Sequence, residues 1–149
     1  MKTALIRPAV PADAETLAKL HRHVREACLP YLPRLHSPLE DHAFFRDHVL
    51  PASTVQVAEA DGMAVGFAAW RPGWLDHLYV HPDWQGLGIG SRLLAVATDD
   101  LSAVRLWVFQ RNVAARRFYE ARGFGLVRLT DGSGNEENEP DALYAWPRD

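Results

Sequence analysis

Apolar residues along this chain recur with two periods, and the switches between them lay out the elements. Leu17, Leu20, Val24 and Cys28 return at helical spacing, the pattern of a helix that buries one face. Pro11-Ala-Asp-Ala-Glu opens it, with Asp13 as N-cap and Glu15 in the first turn, and Pro30 stops it. Cys28 reads as a small core residue. Leu39, Ala43, Phe44, Val49 and Leu50 predict a second helix, capped by Ser37 and ended by Pro51. Ile89, Leu93, Leu94, Ala97 and Leu101 predict a third. Val113–Arg122 is the fourth, with Asn112 as its cap and Gly123 as its stop.

The other rhythm is that of strands. Thr3–Arg7, Thr54–Ala60, Met63–Arg71, Trp74–His81, Ala103–Phe109, Phe124–Thr130 and Asp141–Trp146 are short apolar or alternating runs. Asp61-Gly62 marks a hairpin turn between the second and third. Trp74–His81 has apolar residues on both faces, with Trp74, Asp76, Leu78 and Val80 on one and Leu75, His77, Tyr79 and His81 on the other. That is the pattern of a central strand covered on both sides. The helix between Trp74–His81 and Ala103–Phe109 makes a right-handed parallel crossover. Leu29–Pro38 is a stiff connector with three prolines, and Asp131–Pro140 is an acidic, glycine-containing loop.

Bulk properties narrow the class. A chain of 149 residues is the size of one domain, and no repeat, linker or boundary divides 1–149. A net charge of −3 without a basic stripe argues against a nucleic-acid partner. No run approaches transmembrane length and no signal peptide is evident, so the expected location is cytoplasmic, without a membrane partner. One cysteine excludes an internal disulfide and a cysteine-based zinc site. His21, His23, His36, His42 and His48 lack companion ligands at metal spacing, so no metal is expected and they read mostly as surface or helix-end residues.

Chemistry concentrates in Leu78–Leu94. Gly86, Gly88 and Gly90 lie between a strand and a helix, where bare backbone N–H groups converge at the positive end of a helix dipole and attract a phosphate. A P-loop is excluded because Gly90-Ser91-Arg92 lacks the lysine. A dinucleotide fingerprint is excluded because Pro82–Gln85 separate strand from glycines and Phe109-Gln110 stands where an acid belongs.

Three features coincide. Gln85-Gly86-Leu87-Gly88-Ile89-Gly90 matches Q/R-x-x-G-x-G/A. The next strand ends at Gln110-Arg111-Asn112. Asn112 to Phe124 has the form N-x-x-A-x-x-F-Y-E-x-x-G-F. With Ile6-Arg7-Pro8 and Asp13, the chain resembles the GCN5-related N-acetyltransferase (GNAT) superfamily. The resemblance runs over nearly the whole chain and is strongest from Trp74 to Phe124. It implies an α/β, single-domain GNAT fold: a mixed central sheet of about seven strands flanked by about four helices, with the parallel central strands splayed. It also implies acetyl-CoA as co-substrate. The backbone of Leu78, Tyr79 and Val80 would pair with the pantetheine arm. The N–H groups of Gly86, Leu87, Gly88, Ile89, Gly90 and Ser91, after Gln85, would hold the pyrophosphate. Asn112 would lie near the pantetheine and Tyr119 near the sulfur.

Acyl transfer from a thioester needs a neutral amine, a polarised carbonyl and a protonated leaving thiol. Val80 N–H is the candidate for the carbonyl and Tyr119 for the general acid. The base is open. Family members place a glutamate where this chain has Trp74; Asp76 and His77 are the nearby candidates. In this family the first two helices and the loop before the last strand build the acceptor pocket, which here means Tyr31, His36, Glu40 and the acidic loop. Asp131, Glu136, Glu137, Glu139 and Asp141 would favour a small cationic amine; alternatively, the loop serves solubility alone. A non-catalytic acyl-CoA sensor and a protein or peptide N-acetyltransferase are the rival functions. Oligomeric state is open, a homodimer included.

Overall fold

The computed structural model describes residues 3–148. Seven strands form one sheet: β1 (Leu5–Pro8), β2 (Thr54–Ala60), β3 (Met63–Arg71), β4 (Trp74–Val80), β5 (Val104–Phe109), β6 (Gly125–Leu129) and β7 (Asp141–Trp146), in the order β1-β2-β3-β4-β5-β7-β6. Neighbours run antiparallel except β4 and β5, which are parallel. Four helices flank the sheet: α1 (Ala14–Cys28), α2 (Pro38–Phe44), α3 (Ile89–Asp100) and α4 (Val113–Ala121). The expected mixed α/β sheet with four helices is the observed one.

Each face of the sheet has its own core. On one side Leu93, Leu94 and Ala97 of α3 and Tyr119 of α4 pack on Val65, Ala68, Leu106 and Tyr144. On the other, Leu17, Leu20 and Val24 of α1 meet Phe45, Val57, Phe67 and Ala69. The helix ends follow their sequence signals. Ser37 and Glu40 form a reciprocal capping box on α2 (3.1 and 2.8 Å). Asn112 Oδ1 accepts from Ala115 N–H on α4, and Phe124 N–H closes the other end on Tyr119 O at 3.1 Å.

The structure corrects five expectations. Asp13 stands at the N-cap of α1 but its side chain makes no cap bond: its carboxylate accepts Val10 N–H at 2.7 Å and both Nη atoms of Arg7 at 2.9 Å. Arg7 also reaches Glu59 at 2.6 Å, so this network ties β1, β2 and the approach to α1 together. Pro51 does not end α2 directly; the helix widens into a π-turn at Phe45–Val49 and closes with Leu50–Ala52. Cys28 is exposed at the end of α1 rather than in the core. The acidic loop is pinned rather than freely solvated: Glu139 and Asp141 are buried. Glu139 pairs with Arg111 at 2.8 and 2.5 Å, and Asp141 accepts from Thr130 Oγ1 and from Asn135 Nδ2.

The fifth correction concerns β4. Ala69 faces His77 and Trp70 faces Leu75, leaving Asp76 as an extra residue in a β-bulge. The bulge breaks the alternation. Leu75 joins Leu78 and Val80 on the α3 side, while His77 and Tyr79 face α1.

Phe67 sits under that second face, fully buried, 5.6 Å from the Phe45 ring and stacked on Tyr79 at 5.8 Å. Phe67→Ala is expected to lower the unfolding free energy by about 3–5 kcal/mol, read as a lower urea midpoint at unchanged slope.

Candidate active site

The sheet is interrupted at its centre. β4 and β5 share one register pair, Trp74 with Arg105, and then diverge. Arg105 N–H bonds Gly73 O at 2.9 Å just at that point. Beyond β4, His81 N–H bonds Val65 O on β3 at 2.8 Å. Since successive backbone groups of a strand point to opposite sides, Val80 directs its own N–H and C=O into the gap. Gln85 Nε2 donates to that carbonyl at 2.9 Å and lies 3.7 Å from Cys28 Sγ. The side chain of Gln85 therefore braces the strand end as well as preceding the glycine loop.

The loop after β4 has the form of an anion cradle. Gly86 and Gly88 take φ of 77° and 84°, a conformation that favours glycine, and a Cβ at either would project into open space. Among the described residues no backbone acceptor takes the N–H of Gly86, Leu87 or Gly88, and the first helical bond of α3 is Arg92 N–H to Gly88 O. The N–H groups of Ile89, Gly90 and Ser91 belong to the first turn, where a helix has no internal partners for them. Gly90 lies against Phe118, which a Cβ would meet at 3.5 Å. Arg122 donates to Ser91 Oγ at 3.0 and 2.6 Å and stacks over Phe118 at 3.8 Å. This adds a cation to the cradle that no sequence motif signalled. These groups fit the phosphates of a CoA thioester, and the strand gap fits its extended arm.

A cavity of about 540 Å³ opens on the α1 side of β4. Its floor is aromatic. His77 is ringed by His21 (5.4 Å), Phe45 (5.7 Å), Phe67, Tyr79 and Phe44. Burial pushes the His77 imidazole down to about 4 and holds His21 well below its ordinary range, so both are neutral at neutral pH. His77 Nδ1 is buried without a hydrogen-bond partner. Burial raises the phenols of Tyr79 and Tyr119; Arg25 lowers and Glu137 raises Tyr79, and Tyr79 adds to the rise of Tyr119. Tyr119 is buried on α4 between Phe118 and Phe124, both at 5.3 Å.

The rim of the cavity is charged. Glu26, Glu40, Asp41, Asp76, Glu136 and Glu137 line it, against Arg22, Arg25 and Arg34. Arg25 pairs with Glu137 at 3.2 Å, and His36 Nε2 meets both oxygens of Glu136 at 3.0 and 3.1 Å. These contacts join the acidic loop to α1 and to the connector after it. Asp76 lines the cavity with both oxygens held by Arg71, at 2.5 and 2.9 Å.

The anticipated residues thus fall around the gap and cradle, in the cavity, or outside both. Leu78, Tyr79, Val80, Gln85 and Gly86–Ser91 surround the gap and cradle. His36, Asp76, His77, Glu136 and Glu137 line the cavity, whereas Asp131, Glu139 and Asp141 do not. Tyr31 does not line it either: its hydroxyl is buried without a partner and Arg111 sits 4.0 Å over its ring. Asn112 spends its side-chain oxygen on the α4 cap. The sequence reading missed His21 and the Tyr79 side chain as cavity residues. For His21 a signal existed, because it stands four residues after Leu17 on the buried face of α1.

A comparison with known proteins agrees with this geometry. The profile of the acetyltransferase (GNAT) domain matches residues 51–125. The peptidyl-lysine N-acetyltransferase YiaC of Escherichia coli K12 is 32% identical over 104 residues, covering 68% of this chain and 69% of YiaC. The aminoglycoside N(6')-acetyltransferase type 1 of Stenotrophomonas maltophilia is 35% identical over 115 residues, covering 68% of this chain and 65% of that protein. The chain thus spans about two thirds of these relatives' length. The structure of yncA from Salmonella typhimurium with its cofactor acetyl-CoA superposes with a TM-score of 0.74 at 20% identity, over 99% of this chain and 95% of that one. This chain belongs to the GNAT family: it is an acetyltransferase domain whose co-substrate is acetyl-CoA. Among the described residues no helix is long and apolar enough to cross a membrane and no cluster of metal ligands occurs.

A ligand that binds only the folded state stabilises it, by about 2.7 kcal/mol at a hundredfold excess over Kd. Saturating acetyl-CoA is expected to raise the melting temperature. Gly88→Val, which puts a branched side chain at positive φ over the cradle, is expected to abolish most of that rise in a thermal-shift assay.

Proposed function

We propose that this domain transfers the acetyl group of acetyl-CoA to a primary amine of a small cationic molecule, with Tyr119 as general acid. The observation that carries the reading is the cavity beside the strand gap. Its floor is uncharged and aromatic, its rim holds more carboxylates than guanidiniums, and two cross-loop ion pairs brace it. A negative rim concentrates cationic amines. A floor that keeps imidazoles neutral also favours the neutral amine that acyl transfer requires.

The co-substrate supplies an acetyl thioester. Val80 N–H, directed into the gap, polarises its carbonyl oxygen. The amine nitrogen attacks the carbonyl carbon, a C–N bond forms and the C–S bond breaks, its electron pair going to sulfur. Tyr119, kept protonated by burial, donates its proton to that sulfur. The uncharged His77 imidazole on the cavity floor takes the proton that the amine nitrogen loses as the C–N bond forms, whereas Asp76 is engaged by Arg71. This makes His77 the better placed of the two candidate bases. Glu136 and Glu137 attract the acceptor at the rim.

A second reading, acetylation of a peptide lysine, draws support from a neighbouring cavity of about 560 Å³ that shares Trp107 and Phe109 with the first. An acceptor screen that reads thiol release decides between them. Turnover of free cationic amines above lysine peptides is expected, and the reverse preference would replace the first reading by the second. Tyr119→Phe is expected to lower kcat by about a hundredfold or more while the acetyl-CoA thermal shift persists. Unchanged kcat would remove Tyr119 from the acid role.

A further inference from the structure

At the cavity mouth one side chain occupies the position a ligand cation would take. His36, on the connector between α1 and α2, lies between two carboxylates from different segments. Its Nε2 meets Glu136 at 3.0 and 3.1 Å, and its Nδ1 is 3.9 Å from Glu40. The other charges facing it are Asp41 on α2 and Arg22 on α1. Arg22 donates to the His36 backbone carbonyl and pairs with Asp41, both at 2.9 Å. Asp41 is therefore already neutralised, while Glu40 and Glu136 have the exposed His36 imidazole between them.

The same cavity offers a second polar handle at its other end. His77 belongs to the cavity floor, and its Nδ1 is buried without a partner. A buried polar atom left unpaired costs free energy, so this imidazole is held at the floor without a hydrogen bond of its own. The cavity thus has an uncharged imidazole at its floor and a carboxylate pair, bridged by a weakly basic side chain, at its mouth.

Building on the amine-acetylation reading above, we propose that the acceptor is of the diamine class. Its reacting amine is seated on the floor beside the His77 imidazole, and its second, cationic group replaces the His36 imidazole between Glu40 and Glu136. His36 then sets specificity as a resident competitor. Contact with Glu136 raises its proton affinity above that of an ordinary histidine. Below that raised value His36 is charged and holds the seat. As pH rises through it, the imidazole loses its charge and the carboxylates are left for the ligand, whose distal ammonium stays protonated.

The test is steady-state kinetics with α,ω-diaminoalkanes and 1-aminoalkanes of matched length, acetyl-CoA saturating and thiol release as readout. The ratio of kcat/KM for diamine to that for monoamine cancels the common titration of the reacting amine. Wild type is expected to favour the diamine by roughly tenfold, the size expected of two half-exposed ion pairs, and mostly through KM. Glu136→Gln and Glu40→Gln should each pull the ratio toward one by raising the diamine KM. The wild-type ratio should climb as pH rises through the raised titration of His36, and His36→Ala should be higher at the acid end and flat. A ratio near one with monoamines turned over would overturn the diamine proposal and leave amine acetylation standing. A ratio indifferent to both glutamine variants would overturn it as well. No thiol release from any amine, with the acetyl-CoA thermal shift intact, would sink the amine reading and the proposal with it.

Discussion

The structure depends on two parallel strands that stop pairing. Buried backbone N–H and C=O groups need partners, and a gap in the middle of a sheet denies them. The fold holds the gap open by fixing each strand from its outer side. β5 keeps a full ladder with β7 from Val104 to Phe109, and β4 keeps its ladder with β3 on either side of the Asp76 bulge. Gln85 takes the carbonyl of Val80, and Trp70 Nε1 anchors the end of α3 through Asp100 at 2.7 Å. What remains unpaired faces a slot with the hydrogen-bonding character of a missing strand. An extended amide-bearing chain such as the pantetheine arm is complementary to such a slot for the same reason that strands pair.

The bulge serves the second half of the site. An extra residue in β4 turns His77 and Tyr79 toward α1 while Leu75, Leu78 and Val80 stay on the α3 side. One strand thereby lines the cofactor gap with its backbone and the acceptor cavity with its side chains. The floor this creates is hostile to charge. Burial depresses His77 to about 4 from the ordinary histidine value, so the folded protein keeps it neutral while an unfolded chain begins to protonate it below about pH 6.5. Because the folded state lowers its proton affinity, the stability it contributes is complete above that pH and declines as pH falls toward 4. The same desolvation that keeps these imidazoles neutral acts on a bound ammonium and favours its free-base form.

Much of this was legible in the amino-acid sequence. Periodicity located the strands and helices, because Leu93, Leu94 and Ala97 or Val104, Leu106 and Val108 face one core and repeat with its geometry. The glycine loop was legible because positive φ at Gly86 and Gly88 needs glycine. What escaped depends on pairings between distant segments. The bulge at Asp76 is a property of how β4 meets β3, and counting alternate residues along β4 alone assigns Leu75 to the wrong face. Asp131–Pro140 reads as solvated because its composition is polar. Arg25 and Arg111, remote in sequence, supply the partners that pin it. Cys28 keeps helical spacing with Val24, yet α1 ends there and the thiol is exposed beside Gln85.

The mouth of the cavity explains how a charged rim can be selective without being sticky. Carboxylates left open to water attract any cation and hold none firmly, since exposed ion pairs contribute little. Here Glu137 and Glu136 already have partners, Arg25 and His36. An incoming ammonium gains little from charge alone, because it replaces one ion pair by another. The exchange favours the ligand only when its other end also gains something, and the floor supplies that through the uncharged His77 imidazole and the aromatic walls around it. Selectivity then rests on reaching both ends at once, which a single ammonium cannot do and a bifunctional amine can.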